Sequence, residues 1–252
     1  MIDSHVHLGG GKYASAEEWA AAAARLGVDG TVLVQNLGHT DNSELLAAKN
    51  DDRTAVVGTP ESLDTAEALL EAGAIGFRLG PRGLHAAPGD LRIFDVLEAA
   101  GGVASVTMPY AEIAAPEFAR VVDEHPSTTF RLEHVAAYDY ATRDAVLDEF
   151  SPVIELAQRP NTTIMWSGFF LYSQHGLPYR DAWPVLEASL AAFGPERIMW
   201  SGDWNRAGGT DDTYRADLDL LTSLPFVSPA DVVEIVENTP RRVFGLSERI
   251  AS

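Results

Sequence analysis

Two histidines two positions apart open the chain, in Ile2-Asp3-Ser4-His5-Val6-His7-Leu8. Alternate side chains of an extended segment share a face, so both imidazoles project to one side. Neutral imidazoles held side by side can ligate a divalent metal or act as paired hydrogen-bonding groups for a substrate. A second polar constellation closes the last apolar run, Trp200-Ser201-Gly202-Asp203-Trp204. There alternation puts Asp203 on the face of Ser201 and Met199, with Trp200 and Trp204 opposite. A carboxylate aimed into a packed interior is costly unless it is paired, bound to metal or used. Other polar groups end apolar runs between these two: Arg78 in Gly76-Phe77-Arg78-Leu79-Gly80, with Arg82 just beyond, His134 in Arg131-Leu132-Glu133-His134, and Trp166-Ser167-Gly168. Each has a structural alternative. Asp203 could cap the next helix, His134 could be a satisfied core histidine, and Arg78 could pair with Asp3 or Glu133.

The elements that must position these residues recur. Short apolar, β-branched runs occupy 2–8, 31–36, 54–60, 74–80, 103–109, 129–136, 162–170 and 197–205. Their starts lie roughly 20 to 35 residues apart, the length of a strand, a turn and a crossover helix. Ser15-Ala16-Glu17-Glu18 reads as a capping box ahead of Trp19, Ala22, Ala23 and Leu26 at helical spacing. Further helices are marked by Ser62 with Gly73, by 90–100 with Gly101, and by the cap and proline of Ser228-Pro229. Eight uninterrupted β-then-α units predict an α/β fold, a (β/α)₈ TIM barrel in a single domain over 1–252. Such barrels carry their chemistry at the C-terminal ends of the strands, where the polar residues above fall. Gly9-Gly10-Gly11-Lys12 lacks the spacing of a phosphate-binding loop and reads as a loop at the barrel mouth.

Composition narrows the partners. The 252 residues hold 18 Lys plus Arg against 37 Asp plus Glu, a formal charge of −19. That balance argues against nucleic acid and anionic membranes as partners, and any anionic substrate must be met by local basic residues. There is no cysteine, hence no disulfide framework or thiolate chemistry. Met1 runs straight into an apolar strand with no leader pattern, and no run of about 18 apolar residues occurs, so a soluble cytoplasmic protein is expected. Asn161-Thr162-Thr163 fits a glycosylation acceptor but reads better as strand entry.

On the motifs of 3–7 and 200–204, the chain resembles the amidohydrolase superfamily, in particular its lactonases and the related decarboxylases. Gly76-Phe77-Arg78, Trp166-Ser167-Gly168, Pro178-Tyr179-Arg180-Asp181 and Asn238-Thr239-Pro240-Arg241-Arg242-Val243-Phe244-Gly245-Leu246 extend the likeness over essentially the whole chain. The resemblance implies that His5, His7 and Asp203 bind zinc, manganese or a similar ion. A fifth-strand histidine common in such proteins is missing from 103–109, and neither a fourth-strand carboxylate nor a bridging lysine is evident. A single ion, held by His5, His7 and Asp203 with His134 as a further candidate, or no metal at all, is the corresponding expectation.

The leading functional expectation is hydrolysis of a small lactone or cyclic ester that bears a carboxylate. Asp203 would act as general base and then acid, His5, His7 and His134 would stabilise the oxyanion, and Arg78, with Arg82 in reserve, would hold the substrate anion. Metal-dependent decarboxylation or hydration of a small unsaturated carboxylic acid is the alternative. A non-catalytic barrel that binds a small acidic ligand is a third reading, from another class. Tyr172, Trp166 and His175 are secondary substrate-binding candidates, although Trp166 reads slightly better as packing between strand and helix and His175 as a solvated loop histidine; His39 and His85 lie on loops without a telling spacing, and His125 reads as structural. Trp19, Trp183 and the segment 220–226 could cover helices or form a contact in a homo-oligomer.

Overall fold

A computed structural model describes residues 1–9, 12–49, 52–139, 146–204 and 210–247. Gly10 and Gly11 of the glycine-rich loop and Asn205 at the end of the eighth run lie outside the described residues. Eight parallel strands pair in chain order. They are β1 (Ile2–Val6), β2 (Gly30–Val34), β3 (Thr54–Gly58), β4 (Gly76–Leu79), β5 (Val103–Val106), β6 (Thr129–Leu132), β7 (Thr162–Trp166) and β8 (Ile198–Trp200). The principal crossover helices are α1 (Ala16–Leu26), α2 (Ser43–Ala48), α3 (Leu63–Glu71), α4 (Arg92–Ala100), α5 (Pro116–Glu124), α6 (Val146–Leu156), α7 (Trp183–Phe193) and α8 (Asp211–Ser223). This is a (β/α)₈ barrel. Side chains complete it where β8 meets β1: Ser4 Oγ donates to the Trp200 carbonyl at 2.8 Å.

Local signals explain the helix ends. Ser15 and Ser62 form capping boxes at the starts of α1 and α3, each accepting from the backbone N–H three residues on. Helices α1 and α4 end on the left-handed glycines Gly27 and Gly101. Asn161 is structural: its amide donates to the carbonyls of Val122, His125 and Thr128, tying α5 to the entry of β7. Among the described residues no helix is long and apolar enough to cross a membrane.

Strand alternation divides the core in two. Outward residues such as Phe77, Leu79, Phe130, Leu132, Trp166 and Trp200 pack beneath the helices. Inside the barrel, Val32, Val34, Ala55, Val57, Val103, Met165 and Met199 fill the lower half, with Phe244 and Leu246 beside them. The upper half is different. Arg78, Ser105, Arg131 and Glu133 are all buried there, so the interior changes from hydrocarbon to charge toward the strand C-termini.

Candidate active site

The site begins with a local irregularity. Pairing of β1 with β2 slips between Asp3 and Val6, a departure that re-aims the side chains of Ser4 and His5. The His5 and His7 rings meet edge to face, with centroids 4.7 Å apart and Nε2 atoms 3.2 Å apart. Neighbours fix where the protons sit. Arg131 Nη2 lies 2.9 Å from His5 Nδ1, and a guanidinium only donates, so Nδ1 accepts and the neutral ring carries its proton on Nε2. His7 Nδ1 donates to the Val34 carbonyl at 2.6 Å, which leaves the lone pair on Nε2. His5 Nε2–H therefore donates to His7 Nε2. Burial, reinforced by neighbouring positive charge, holds both rings neutral: His7 is pushed down to about 4 and His5 goes well below its usual range.

Beneath the imidazoles is a buried ionic cluster. Arg78 donates to Glu133 Oε2 from Nε at 3.0 Å and from Nη2 at 2.8 Å, and from Nη1 to the Gln35 carbonyl at 3.1 Å. Ser105 Oγ donates to Glu133 Oε1 at 2.5 Å and accepts from Arg131 at 2.7 Å. Burial alone would raise the Glu133 carboxyl, but the two guanidiniums outweigh it and hold the group down at about 2. Two cations on one carboxylate leave a net positive charge at the floor of the site.

Asp203 arrives from the opposite side. It is buried, with φ of 46°, and its N–H donates to Ser201 Oγ at 3.0 Å. That hydroxyl lies 2.8 Å from Asp3 Oδ1 and 2.9 Å from the His5 carbonyl, so it links the ends of β1 and β8. Tyr214 on α8 donates to Asp3 Oδ2 at 2.9 Å, and burial pushes the Asp3 carboxyl up to about 6. Only glycine fits at 202, because a Cβ there would lie 2.2 Å from the Tyr214 ring. His134 is also set by unusual backbone. His134, Val135, Ala136 and Ala137 all have positive φ, between 50° and 58°, forming a left-handed turn after β6. Left-handed backbone is costly for residues with a Cβ and is found where surroundings impose it, commonly at functional sites. Ser167 Oγ holds His134 Nδ1 at 2.8 Å, and Gly168, at φ of 68°, leaves room for the ring.

These side chains surround a cleft of about 210 Å³. His7, Arg78, His134, Lys12, Tyr13, Asn36, His39, Thr107 and Tyr172 contribute polar groups to its wall, and Leu37, Met108 and Leu171 contribute apolar ones. No carboxylate lines it among the described residues, in a chain with 37 acidic side chains. Ligand atoms of His5, His7 and Asp203 lie within 4.8 Å of one another, so Asp203 sits directly behind the cleft-lining His7.

The residues singled out from the sequence separate into two groups. His5, His7, Asp203, His134 and Arg78 converge, and Tyr172 lines the same cleft. Three do not join them. Trp166 points outward from β7 and donates from Nε1 to Ser189 on α7 at 3.0 Å, away from the cleft. Arg82 is exposed, 3.8 Å from Glu112 on an outer groove. His175 is exposed on its loop, outside the cleft lining. His125 is buried against Val121 and Asp95. Arg131, Glu133, Ser105 and the cleft residues Lys12, Tyr13 and His39 were missed as site residues. Alternation was the available signal for Arg131 and Glu133, since both share the inward face of β6 with nothing apolar between them on that face.

Two imidazoles and a carboxylate are a suitable donor set for one zinc or manganese ion, and the separation of the two Nε2 atoms suits it. His5 Nε2 carries the ring proton while Arg131 occupies Nδ1, so His5 would have to move that proton to Nδ1 before it could offer Nε2 to an ion. A second group of donors, His5, Glu133 and His134, shares His5, but Glu133 is already engaged by Arg78 and Ser105.

Comparison with known proteins agrees with this architecture. A 4-sulfomuconolactone hydrolase of Rhizobium radiobacter is 32% identical over 101 residues, which make up 38% of this chain and only 33% of that relative. A solved amidohydrolase from Burkholderia multivorans with bound zinc superposes with a TM-score of 0.78 at 22% identity, over 98% of this chain and 99% of the other. A probable 2-pyrone-4,6-dicarboxylic acid hydrolase from Acinetobacter baumannii, with citric acid bound, gives 0.79 at 16% identity over 97% and 99%. At such identities the structural likenesses establish the fold. The amidohydrolase family model matches residues 2–246, from the first strand to beyond the last helix, and the chain belongs to the amidohydrolase family.

Proposed function

We propose that this barrel hydrolyses a small lactone that carries an anionic group. The observation behind this reading is a buried carboxylate, Asp203, beside the neutral imidazoles of His5 and His7, of which His7 lines a cleft that also presents Lys12 and Arg78 and no acid among the described residues. The lactonase names of the relatives support it.

The chemistry assigns each residue one task. Arg78, which lines the cleft, has one N–H left on each terminal nitrogen after its bonds to Glu133 and Gln35, and these would hold a substrate anion. Water attacks the lactone carbonyl carbon and its proton passes to Asp203, which lies outside the cleft lining with its carboxylate within 4.8 Å of the ligand atom of the cleft-lining His7. Ser167 Oγ pairs with His134 Nδ1, and in the tautomer in which that nitrogen accepts, the Nε2–H is offered to the developing oxyanion. The ring C–O bond then breaks, Asp203 returns the proton to the leaving alkoxide, and a hydroxy acid departs with Asp203 ionised again. A zinc or manganese ion held by His5, His7 and Asp203 would add Lewis-acid polarisation of the carbonyl.

Turnover of a panel of γ- and δ-lactones, with and without a carboxylate, followed by acid release, tests the reading. Carboxylated lactones are expected to be opened with the higher kcat/KM. Evolution of carbon dioxide from unsaturated acids instead would point to the decarboxylase reading. Tight binding of small acids without turnover would make the protein a binding barrel.

A further inference from the structure

Seven large apolar side chains stand out as exposed among the described residues, and three belong to one opening: Leu37 at 41%, Met108 at 50% and Leu171 at 42%. Single exposed apolar residues are ordinary and carry no message. Here, however, they come from the segments after β2, β5 and β7 and converge on the rim of the cleft whose floor holds His7, Arg78 and His134. The opening therefore carries an apolar face of three side chains at its mouth, beside the exposed Lys12 and His39, above a buried floor that holds Arg78.

We infer that the substrate is amphiphilic, with an anionic head at Arg78 and an alkyl or aryl substituent lying against Leu37, Met108 and Leu171. This deepens the proposed hydrolase reading, on which the placement of the head rests. On that apolar face the hydroxyls of a polyhydroxylated substrate, such as a sugar lactone, would meet three side chains that cannot hydrogen-bond, and burying unpaired hydroxyls is unfavourable. An alkyl chain gains there instead, by about two- to fourfold in affinity per methylene removed from water.

Calorimetric titration of the full chain with acetate, butyrate, hexanoate and octanoate, and with gluconate as the hydroxylated counterpart, tests the inference without turnover. The expected result is a Kd that falls about two- to fourfold per methylene up to at least hexanoate, with gluconate no tighter than acetate. Leu37→Ser, Met108→Ser and Leu171→Ser should each flatten that dependence while leaving acetate binding and Tm unchanged. A Kd independent of chain length, or gluconate tighter than hexanoate, would overturn it. So would serine variants that change the oligomeric state while chain length has no effect, since the rim would then be a contact between copies. Lactone turnover with a flat series would sink the amphiphile alone. A steep series without lactone turnover would sink the hydrolase reading alone.

Discussion

One proton on His5 governs how the candidate site meets a metal. Arg131 donates to Nδ1, so the Nε2 lone pair that an ion needs is protonated in the neutral ring. Arg131→Gln places a carbonyl acceptor near Nδ1, lets the proton move there, and frees Nε2. Zinc affinity, measured by competition with a chromophoric chelator, should then rise on the order of tenfold, opposite in sign to the usual effect of removing a group that orients a ligand. Unchanged or weaker binding by a folded variant would show that Arg131 does not hold the tautomer. At this scale the sequence was legible where a residue type is rare in a strand. Two histidines and an aspartate at strand ends are conspicuous, and they do meet. Arginines and glutamates are common on surfaces, so alternation puts Arg131 and Glu133 on one face and the closed barrel identifies that face as buried. Trp166 is open in the sequence, with packing between strand and helix slightly favoured over a pocket wall, and its outward parity decides for the core.

Among the elements, the strand pattern was readable throughout, and every predicted strand is present with a shorter C-terminal end. The excess is informative. His7, Glu133, His134, Ser167 and Asp203 all lie past the last residue of their strands, and at His134 and Asp203 the backbone departs from β to build the site. Left-handed turns at His134–Ala137 and at Asp203 leave no compositional trace, because neither contains the glycine or asparagine that normally marks such backbone. Gly168 does carry a trace. Its φ of 68° and the 2.8 Å that would separate an added Cβ from His134 Nδ1 make alanine doubly unfavourable. Gly168→Ala should cost about 1–3 kcal/mol of stability in chemical denaturation and lower turnover by shifting His134. A variant as stable and as active as the parent would remove the tight seat assigned to that ring.

For the whole molecule, the pattern of charge sets both stability and selectivity. A formal charge of −19 repels anions at long range, so a cleft with no acid in its described lining is where one can be received. The same acidity has a cost inside. Asp217 on α8 is mostly buried, accepts from Tyr179, and is raised to about 6 by burial, with Asp203 adding to the effect. Because its folded value lies above the unfolded one near 3.8, stability is lost as pH rises from there through 6. Asp217→Asn should therefore match the parent near pH 3.5 and exceed it by about 1–2 kcal/mol at pH 7.5, allowing for partial solvent contact. Equal Tm values at both pH values would contradict the assignment.

The central claim is that Asp203 moves the proton of the attacking water. The most direct measurement pairs kcat on the best carboxylated lactone with the Kd of its hydroxy-acid product, for the parent and for Asp203→Asn. The expected result is a kcat lower by about 10²- to 10⁴-fold, with product affinity within about threefold of the parent. An asparagine variant that retains a tenth or more of the parent's kcat would contradict the claim.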